Sequence, residues 1–355
     1  DCLLSRGLGD VYKRQSIEPF SIVVIVMRMS LGENMIVTLF GESHGPAVGA
    51  LIEGMPPNIE LDFDQLITDM VARRPGSGLA SKRKETDDVE IMSGVNGGKT
   101  TGMPILLLIK NEDVRSKDYS FLPYQPRPGH VDHPINIKTE GAADLRGGGS
   151  FSARLTAGLV AASSISRKLI PEEWIIEASV GALGGLEGDE GIALAEQARK
   201  EGDSLGSRVD LMISGLPVGL GEPWFDGLEP ALARALMAIP AARAVEFGRG
   251  VQAGEMRGSQ HNDKWGKGMT LSEGADGALG GMASGAPIKV RITFKPPSGI
   301  SLPQKTFNEI SGVMEELAIK GRHDPVIAPR ARPVVEAVAR LVIADLAIRG
   351  GYIDE

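Results

Sequence analysis

Ile288-Lys289-Val290-Arg291-Ile292-Thr293-Phe294 is the clearest structural signal in the chain. Ile288, Val290, Ile292 and Phe294 alternate with Lys289, Arg291 and Thr293, the period-two pattern of a strand with one buried face and one basic outer face. Working outward, Met35–Phe40, Gly49–Ile52 and Met103–Ile109 read as short buried strands. Asp62–Arg74 reads as a helix, with Asp62 as cap and Leu66, Ile67, Met70 and Val71 on one stripe. Ser152–Leu169 predicts a longer, small-residue helix with Leu155, Leu159 and Ile165 inward, and Leu228–Ile239 one that stops at Pro240. Pro303–Lys320 and Pro333–Arg349 carry Pro near a first turn and Gly just past the end, which predicts two more helices. Strands and helices alternate irregularly, so the expected class is α+β, not a regular βαβ series. Gly181-Ala-Leu-Gly-Gly recurs at Gly277, by chance or as a trace of duplication.

The chain has 355 residues, 46 acidic against 38 basic, for a net charge of −8. Its length and its 42% hydrophobic residues support a packed core and exclude disorder throughout. A single cysteine excludes a disulfide framework and cysteine-based zinc fingers, and no apolar run approaches the roughly 20 residues of a bilayer span. Only 5% of residues are aromatic, which disfavours base-stacking nucleic-acid platforms. Asp10-Val-Tyr-Lys-Arg-Gln15 matches the translation of a common sequencing adapter. Residues 1–28 are therefore read as a non-native leader or assembly artefact preceding a start at Met29; a secretory signal is the competing reading, against which the apolar stretch at 22–27 is short and lacks a cleavage site. Without those residues the net charge is −9 and no cysteine remains.

All five histidines, His44, His130, His133, His261 and His323, sit in polar segments beside Gly or Pro. Imidazole titrates near neutrality and suits proton transfer, although a lone loop histidine is usually only solvated. Basic residues gather in the same loops: Arg73, Arg74, the 82–84 cluster, Arg127, Arg146, Arg154, Arg322, Arg330 and Arg332. Guanidinium groups bind phosphate and carboxylate in pairs of hydrogen bonds, so these loops read either as ordinary surface charge or as a pocket for a small polyanion. The triple glycine at 147–149 leads into a helix and can turn the chain or present backbone N–H groups to an anion. Gly97-Gly98-Lys99-Thr100 is not a P-loop, because Ser93 stands where the first glycine belongs. His130 and His133 do not have zinc spacing, and no metal is expected.

Taken in order, these loops resemble chorismate synthases. The resemblance is carried by GESHG at 41–45, RRPG at 73–76, SGV at 93–95, GKTTG at 98–102, RPGH at 127–130 and RGGGSFSAR at 146–154. It continues through EGDSLG at 201–206, GLGEP at 219–223, LGGMASG at 279–285, FKP at 294–296 and GRHDPVIAPR at 321–330. It covers essentially everything from Met29 onward, and implies one catalytic domain, 29–355. The implied activity is trans-1,4-elimination of phosphate from 5-enolpyruvylshikimate 3-phosphate to give chorismate, with reduced FMN required and no net redox change. The implied fold is a four-layer sandwich with helices outside two central β layers, assembled as a homotetramer in the cytoplasm. No nucleic acid or membrane is implied. NADPH would serve as an indirect electron source, and the compact 174–208 region favours an external flavin reductase over a built-in one.

By position, the resemblance implies that His44 assists departure of phosphate, that His130 protonates or stabilises the reduced flavin, and that Asp324, helped by Ser43, manages the proton at the flavin. It assigns flavin contacts to Ser150, Ser152, Ala241, Gly280, Lys295, Pro296, Pro297, Ser298, Gly299 and Arg322, and substrate contacts to Arg73, Arg74, Arg127 and Arg154. The chain departs from the common pattern at Phe151, Pro240 and Val326, and at Glu273 and Asp276, which would add carboxylates near the flavin. A non-catalytic polyanion-binding protein that keeps the basic loops is the alternative.

Overall fold

The computed structural model describes residues 27–74, 85–112, 116–271, 276–319 and 324–353. Its strands are β1 Ser30–Leu31, β2 Ile36–Gly41, β3 Ala47–Glu53, β4 Val89–Ile91, β5 Val95–Asn96, β6 Lys99–Thr100, β7 Ile105–Lys110, β8 Ile175–Leu183, β9 Ser207–Ser214, β10 Ala242–Phe247, β11 Ala278–Leu279, β12 Met282–Ala283, β13 Ile288–Phe294, β14 Gln304–Asn308 and β15 Val313–Leu317. The helices are α1 Phe63–Arg73, α2 Asp132–Lys138, α3 Thr156–Ile165, α4 Gly188–Glu201, α5 Leu228–Met237, α6 Gly258–His261 and α7 Ala328–Gly350.

Two antiparallel sheets organise the chain, in the orders β1-β2-β3-β7-β4 and β10-β13-β9-β8. β13 occupies the span its alternation predicts, with Ile288, Val290, Ile292 and Phe294 buried, and pairs with β9 from Ile288↔Ile213 to Phe294↔Ser207. The α+β class is thus present, but the expected layer order is inverted. α3 packs on β2, β3 and β7, while α7 packs on β8 and β9, and the two helices pack on each other, with α1 and α5 beside them. The helices therefore lie between the sheets. The cause is visible in composition: α3 is Ala-, Gly- and Ser-rich and α7 carries Ala, Val and Ile on all sides, so both are buried nearly all round. A helix apolar on every side must be covered on every side, and small residues let two such helices fit between sheets.

The chain also repeats itself. In both halves an antiparallel strand pair (β2–β3, and β8–β9 with α4 inserted between its strands) is followed by a helix (α1, α5), a strand (β4, β10), a short hairpin (β5–β6, β11–β12) and a strand (β7, β13) that pairs between the second strand of the pair and the strand after the helix. Gly94-Val-Asn-Gly97-Gly98 through Gly102-Met-Pro104-Ile105 matches Gly277-Ala-Leu-Gly280-Gly281 through Gly285-Ala-Pro287-Ile288 in spacing. In each, the paired glycines form the two-residue turn at positive φ (57° and 80°; 63° and 89°) that a tight hairpin needs. The true counterpart of the Gly277 segment is thus the one at Gly94; Gly181 stands inside β8.

Four sequence expectations need correction. Residues 304–317 form the hairpin β14–β15 instead of a helix: Asn308 Oδ1 accepts from Ile310 N (2.9 Å) and Ser311 N (3.4 Å), and Gly312 sits at φ +72°, closing a turn no helix tolerates. The last helix starts at Ala328, before Pro333, with Pro329 in its first turn, and ends as expected at Gly351 in the left-handed region. The 152–169 helix is divided into a 3-10 turn at Ala153–Leu155, α3, and a second turn at Arg167–Leu169. In α1 the Asp62 cap is present, accepting from Gln65 N at 2.9 Å, but only Leu66 and Met70 of the stripe are buried; Ile67 and Val71 face outward and Arg73 points in.

Candidate functional site

A cavity of about 1680 Å³ opens between the two halves. Its walls come from β2 (Val37, Leu39), α3, α5, α7, the Tyr119–Ser152 loops and the segment after β13. Each loop is held by specific bonds. Glu42–Gly45 is a turn closed by Gly45 N donating to Glu42 O (3.0 Å). Ser43 N donates to Gly149 O (3.2 Å) and Ser43 Oγ to Arg146 O (3.2 Å), which locks this turn to the triple-glycine segment. Gly147 (φ +59°) is required there: a Cβ would fall 2.8 Å from His44 Nε2 and onto Ser43 Oγ.

His44 lies on the cavity wall with its ring edge-on to Tyr119 at 5.0 Å, and the Arg127 guanidinium stands 5.4 Å from the centre of the same Tyr119 ring. Across the loop, His130 Nδ1 is 2.7 Å from Asp132 Oδ1. Arg127 Nη2 is 3.0 Å from the same nitrogen, but a carboxylate at the shorter distance is the stronger partner and fixes the proton on Nδ1. Asp132 also accepts from Arg127 Nη2 (2.6 Å), Nε (2.7 Å) and N (3.0 Å). Burial pushes the Asp132 carboxyl up, but the hydrogen bonds from Arg127 and His130 overcome it and hold it far below the usual carboxylate range. His130 Nε2 is left beside Gly148 at the wall, where a Cβ would stand 3.3 Å from it. The hairpin β14–β15 braces this loop, with Thr306 Oγ1 donating to Pro126 O (2.6 Å) and Gln125 Nε2 donating to Glu315 Oε2 (2.9 Å).

The segment Lys295–Gly299 lines the cavity together with Ala241 and Arg243. Lys295 Nζ donates to Gly129 O, and Ser204 Oγ to Pro297 O (2.8 Å). Burial and the neighbouring Arg243 charge lower the Lys295 pKa. Ala241 adopts φ +70°, a left-handed conformation that costs an alanine energy and is held by Lys295 N donating to Ala241 O (3.0 Å). Asp324 lines the same cavity and accepts from Arg330 Nη1 at 2.8 Å.

The cavity thus brings together His44, His130, Asp324, Ser150, Ser152, Ala241, Lys295, Pro296, Pro297, Ser298, Gly299, Arg73 and Arg127, with Ser43 immediately behind the wall. Other expected residues lie elsewhere. Arg154 is spent on buried partners: Asp87, Asn111 Oδ1 (2.8 Å) and Lys110 O (2.9 Å). Arg73 reaches the lining, but its guanidinium bonds Asp87 (2.7 Å) and the carbonyls of Ala153 and Arg154 (3.2 and 3.3 Å), and burial lowers its pKa to about 10. Arg74 pairs with Asp88 at 3.5 Å, off the cavity. Gly280 is in the β11–β12 turn and off the wall. Asp276 faces Glu229 and His261 (3.7 Å), not the cavity. His133 is exposed, 3.5 Å from Glu309. Arg322, His323, Glu273, the 82–84 cluster and most of the proposed leader lie outside the described residues. Sequence reading missed Tyr119 and Arg243, and took Asp132 only as part of a rejected metal pattern; the Arg-x-x-His-x-Asp spacing of Arg127, His130 and Asp132 was the available signal.

Comparison with known proteins identifies the family. Residues 35–348 match the family model for chorismate synthase. The chain is 44% identical over 351 residues to a chorismate synthase of Aeropyrum pernix, covering 90% of this chain and 92% of that one. It is 43% identical to one from Thermococcus kodakarensis, covering 90% and 97%. A crystal structure of a chorismate synthase superposes with a TM-score of 0.69 at 26% identity, over 90% of this chain and 93% of the other. No helix among the described residues is long and apolar enough to cross a membrane.

Proposed function

The chain belongs to the chorismate synthase family, and on that premise we propose that the histidine-lined cavity is where its reaction takes place. The enzyme is a lyase of the shikimate pathway that eliminates phosphate from 5-enolpyruvylshikimate 3-phosphate to form chorismate. The observation that carries the placement is size combined with lining. A single small-molecule site commonly occupies about 300–1,000 Å³; this cavity exceeds that and joins two proton-carrying histidines to a cationic wall.

The residues fit a reduced FMN beside the substrate. Lys295 and Arg243 repel one another across the wall, and a phosphate between them would relieve that repulsion. Ala241, Pro296–Gly299, Ser150 and Ser152 would line the rest of its site. When bound, reduced flavin supplies the electron density that lets an unactivated C–H bond break without net redox change. The protein's own groups handle the protons. His44, supported by Tyr119, gives a proton to the departing phosphate oxygen. His130, with its Nδ1–H committed to Asp132, presents Nε2 as the nitrogen that accepts and returns a proton. Asp324, oriented by Arg330, takes and returns a proton at its carboxylate. Arg127 adds positive charge for the anionic substrate, while Arg73 and Arg154 hold the loops from behind. The phosphorylated substrate and reduced flavin are the grounds on which a cytoplasmic location and a separate NADPH-dependent flavin reductase as electron source are proposed. A homotetramer is the proposed assembly, and light scattering at four chains per particle is the expected result; a monomeric mass contradicts it.

The test is an anaerobic assay with 5-enolpyruvylshikimate 3-phosphate and dithionite-reduced FMN, following chorismate absorbance. Turnover that requires reduced FMN supports the reading; turnover without flavin overturns the cofactor assignment.

A further inference from the structure

Asn111 is the residue directly after β7, and nothing in its sequence context marks it. Its side chain nevertheless uses three of its four hydrogen-bonding capacities. Nδ2 donates to Glu42 O (3.0 Å) and to Gly45 O (2.9 Å), the two carbonyls at the ends of the turn that carries Ser43 and His44. Oδ1 accepts from Arg154 Nε (2.8 Å). Its backbone N–H donates to Pro46 O (3.1 Å), one residue beyond the turn. The amide has one allowed orientation: a flip would aim its NH₂ at a guanidinium and its oxygen at two carbonyls.

Behind Asn111 the chain of contacts is rigid. Arg154 is bound by Asp87 and by Lys110 O, and Asp87 is also gripped by Arg73. Asp87 itself is buried and its carboxyl is lowered; burial pushes it up, and the charges of Arg73 and Arg154 more than compensate. A buried carboxylate with two guanidinium partners cannot move without leaving a charge uncompensated. Asn111 is therefore a neutral arm reaching from a fixed ion cluster to the only turn that holds both Ser43 and His44. On the opposite side that turn meets Gly147, where no Cβ fits, so the imidazole has little room to relax if the arm is lost.

We propose that Asn111 is a positioning residue for the reaction, clamping the Glu42–Gly45 turn so that His44 faces the substrate. The proposal rests on the reading of His44 as the group that assists the leaving phosphate. It also assigns the buried Asp87–Arg154 pair a role in catalytic geometry, as the anchor of that clamp.

Two substitutions separate positioning from simple stabilisation. Asn111→Asp keeps an oxygen for Arg154 but replaces the two donors with a carboxylate oxygen facing two carbonyls. Asn111→Ala removes both sides. The measurement is steady-state turnover with reduced FMN for each variant in the wild-type and the His44→Ala backgrounds, with thermal unfolding alongside. The expected result is a fall in kcat of roughly tenfold or more for both variants with KM for substrate changed less than about threefold, and little further loss when either is added to His44→Ala. If Asn111→Asp keeps wild-type kcat, or if either variant loses the same factor in both backgrounds, the proposal is overturned, including when only one of the two folds. If His44→Ala itself keeps full activity, it is the underlying reading of His44 that fails.

Discussion

At the scale of single residues, the chemistry depends on which groups are aimed into the cavity and which are spent on the protein itself. The position of His44 and His130 on the cavity wall was legible through the ordered GESHG and RPGH motifs, not through their polar loops, a setting that His133 and His261 share without reaching the cavity. The arginines were only half legible. Arg127 reaches the cavity, but Arg154 is consumed by Asp87, 67 positions away, and a basic loop residue looks the same in sequence whether its partner is a ligand phosphate or a buried aspartate. Gly147→Ala is expected to lower kcat by roughly tenfold or more, because the new Cβ displaces His44 and the φ of +59° is strained for alanine; unchanged kcat in the anaerobic assay would count against it. Glu229 gives a pH-dependent prediction. Burial first, and the Asp276 charge second, raise its pKa to about 7. A carboxyl raised in the folded state favours folding while protonated, and that advantage declines as pH rises from the unfolded value near 4.5 through 7. Glu229→Gln should therefore raise stability at pH 8 by about 1 kcal/mol, after allowing for solvent screening of a half-exposed group, and change little at pH 4. Thermal unfolding at the two pH values checks it, and equal effects at both would contradict it.

At the scale of elements, alternation was the dependable signal. β13 occupies its predicted seven residues because its buried and exposed positions differ on every second residue. Residues 304–317 misled, because Pro303 at the start and Gly321 just past Lys320 imitate helix boundaries, while the decisive Asn308 turn is made by a side chain. The repeated hairpins yield a graded prediction. Gly280 and Gly277 both have positive φ, but a Cβ at Gly280 meets open space whereas one at Gly277 lies 2.6 Å from Ile288 Cγ1 and 2.7 Å from Pro287 O. Gly280→Ala should cost about 1 kcal/mol from backbone strain alone, and Gly277→Ala about 2–4 kcal/mol. Gly94, blocked by Ile105 Cγ1 and Pro104 O in the first repeat, should behave like Gly277. Denaturant unfolding of the three variants checks the order; equal losses at Gly277 and Gly280 would show that the close approach is unimportant.

At the scale of the whole molecule, the site exists because two similar halves meet through their helices and leave a cavity between them. Composition and periodicity reached the α+β class, and the family resemblance reached four layers. The layer order was misjudged, because it depends on α3 and α7 being buried on every side, which becomes evident only when Ala, Gly and Ser are counted as core residues. Likewise the duplication was masked by a chance five-residue match, while the true one rests on glycine spacing and turn geometry. The first half supplies His44 and His130, and the second supplies Lys295 and Asp324. The central claim is that this shared cavity is the seat of the elimination. Its most direct test is single-turnover chorismate formation by His130→Ala and His44→Ala under anaerobic conditions with reduced FMN, with substrate binding measured in parallel. The account predicts that each variant binds substrate and folds as the parent does, while forming chorismate at least about a hundredfold more slowly. Formation at the parent's rate by either variant would contradict it.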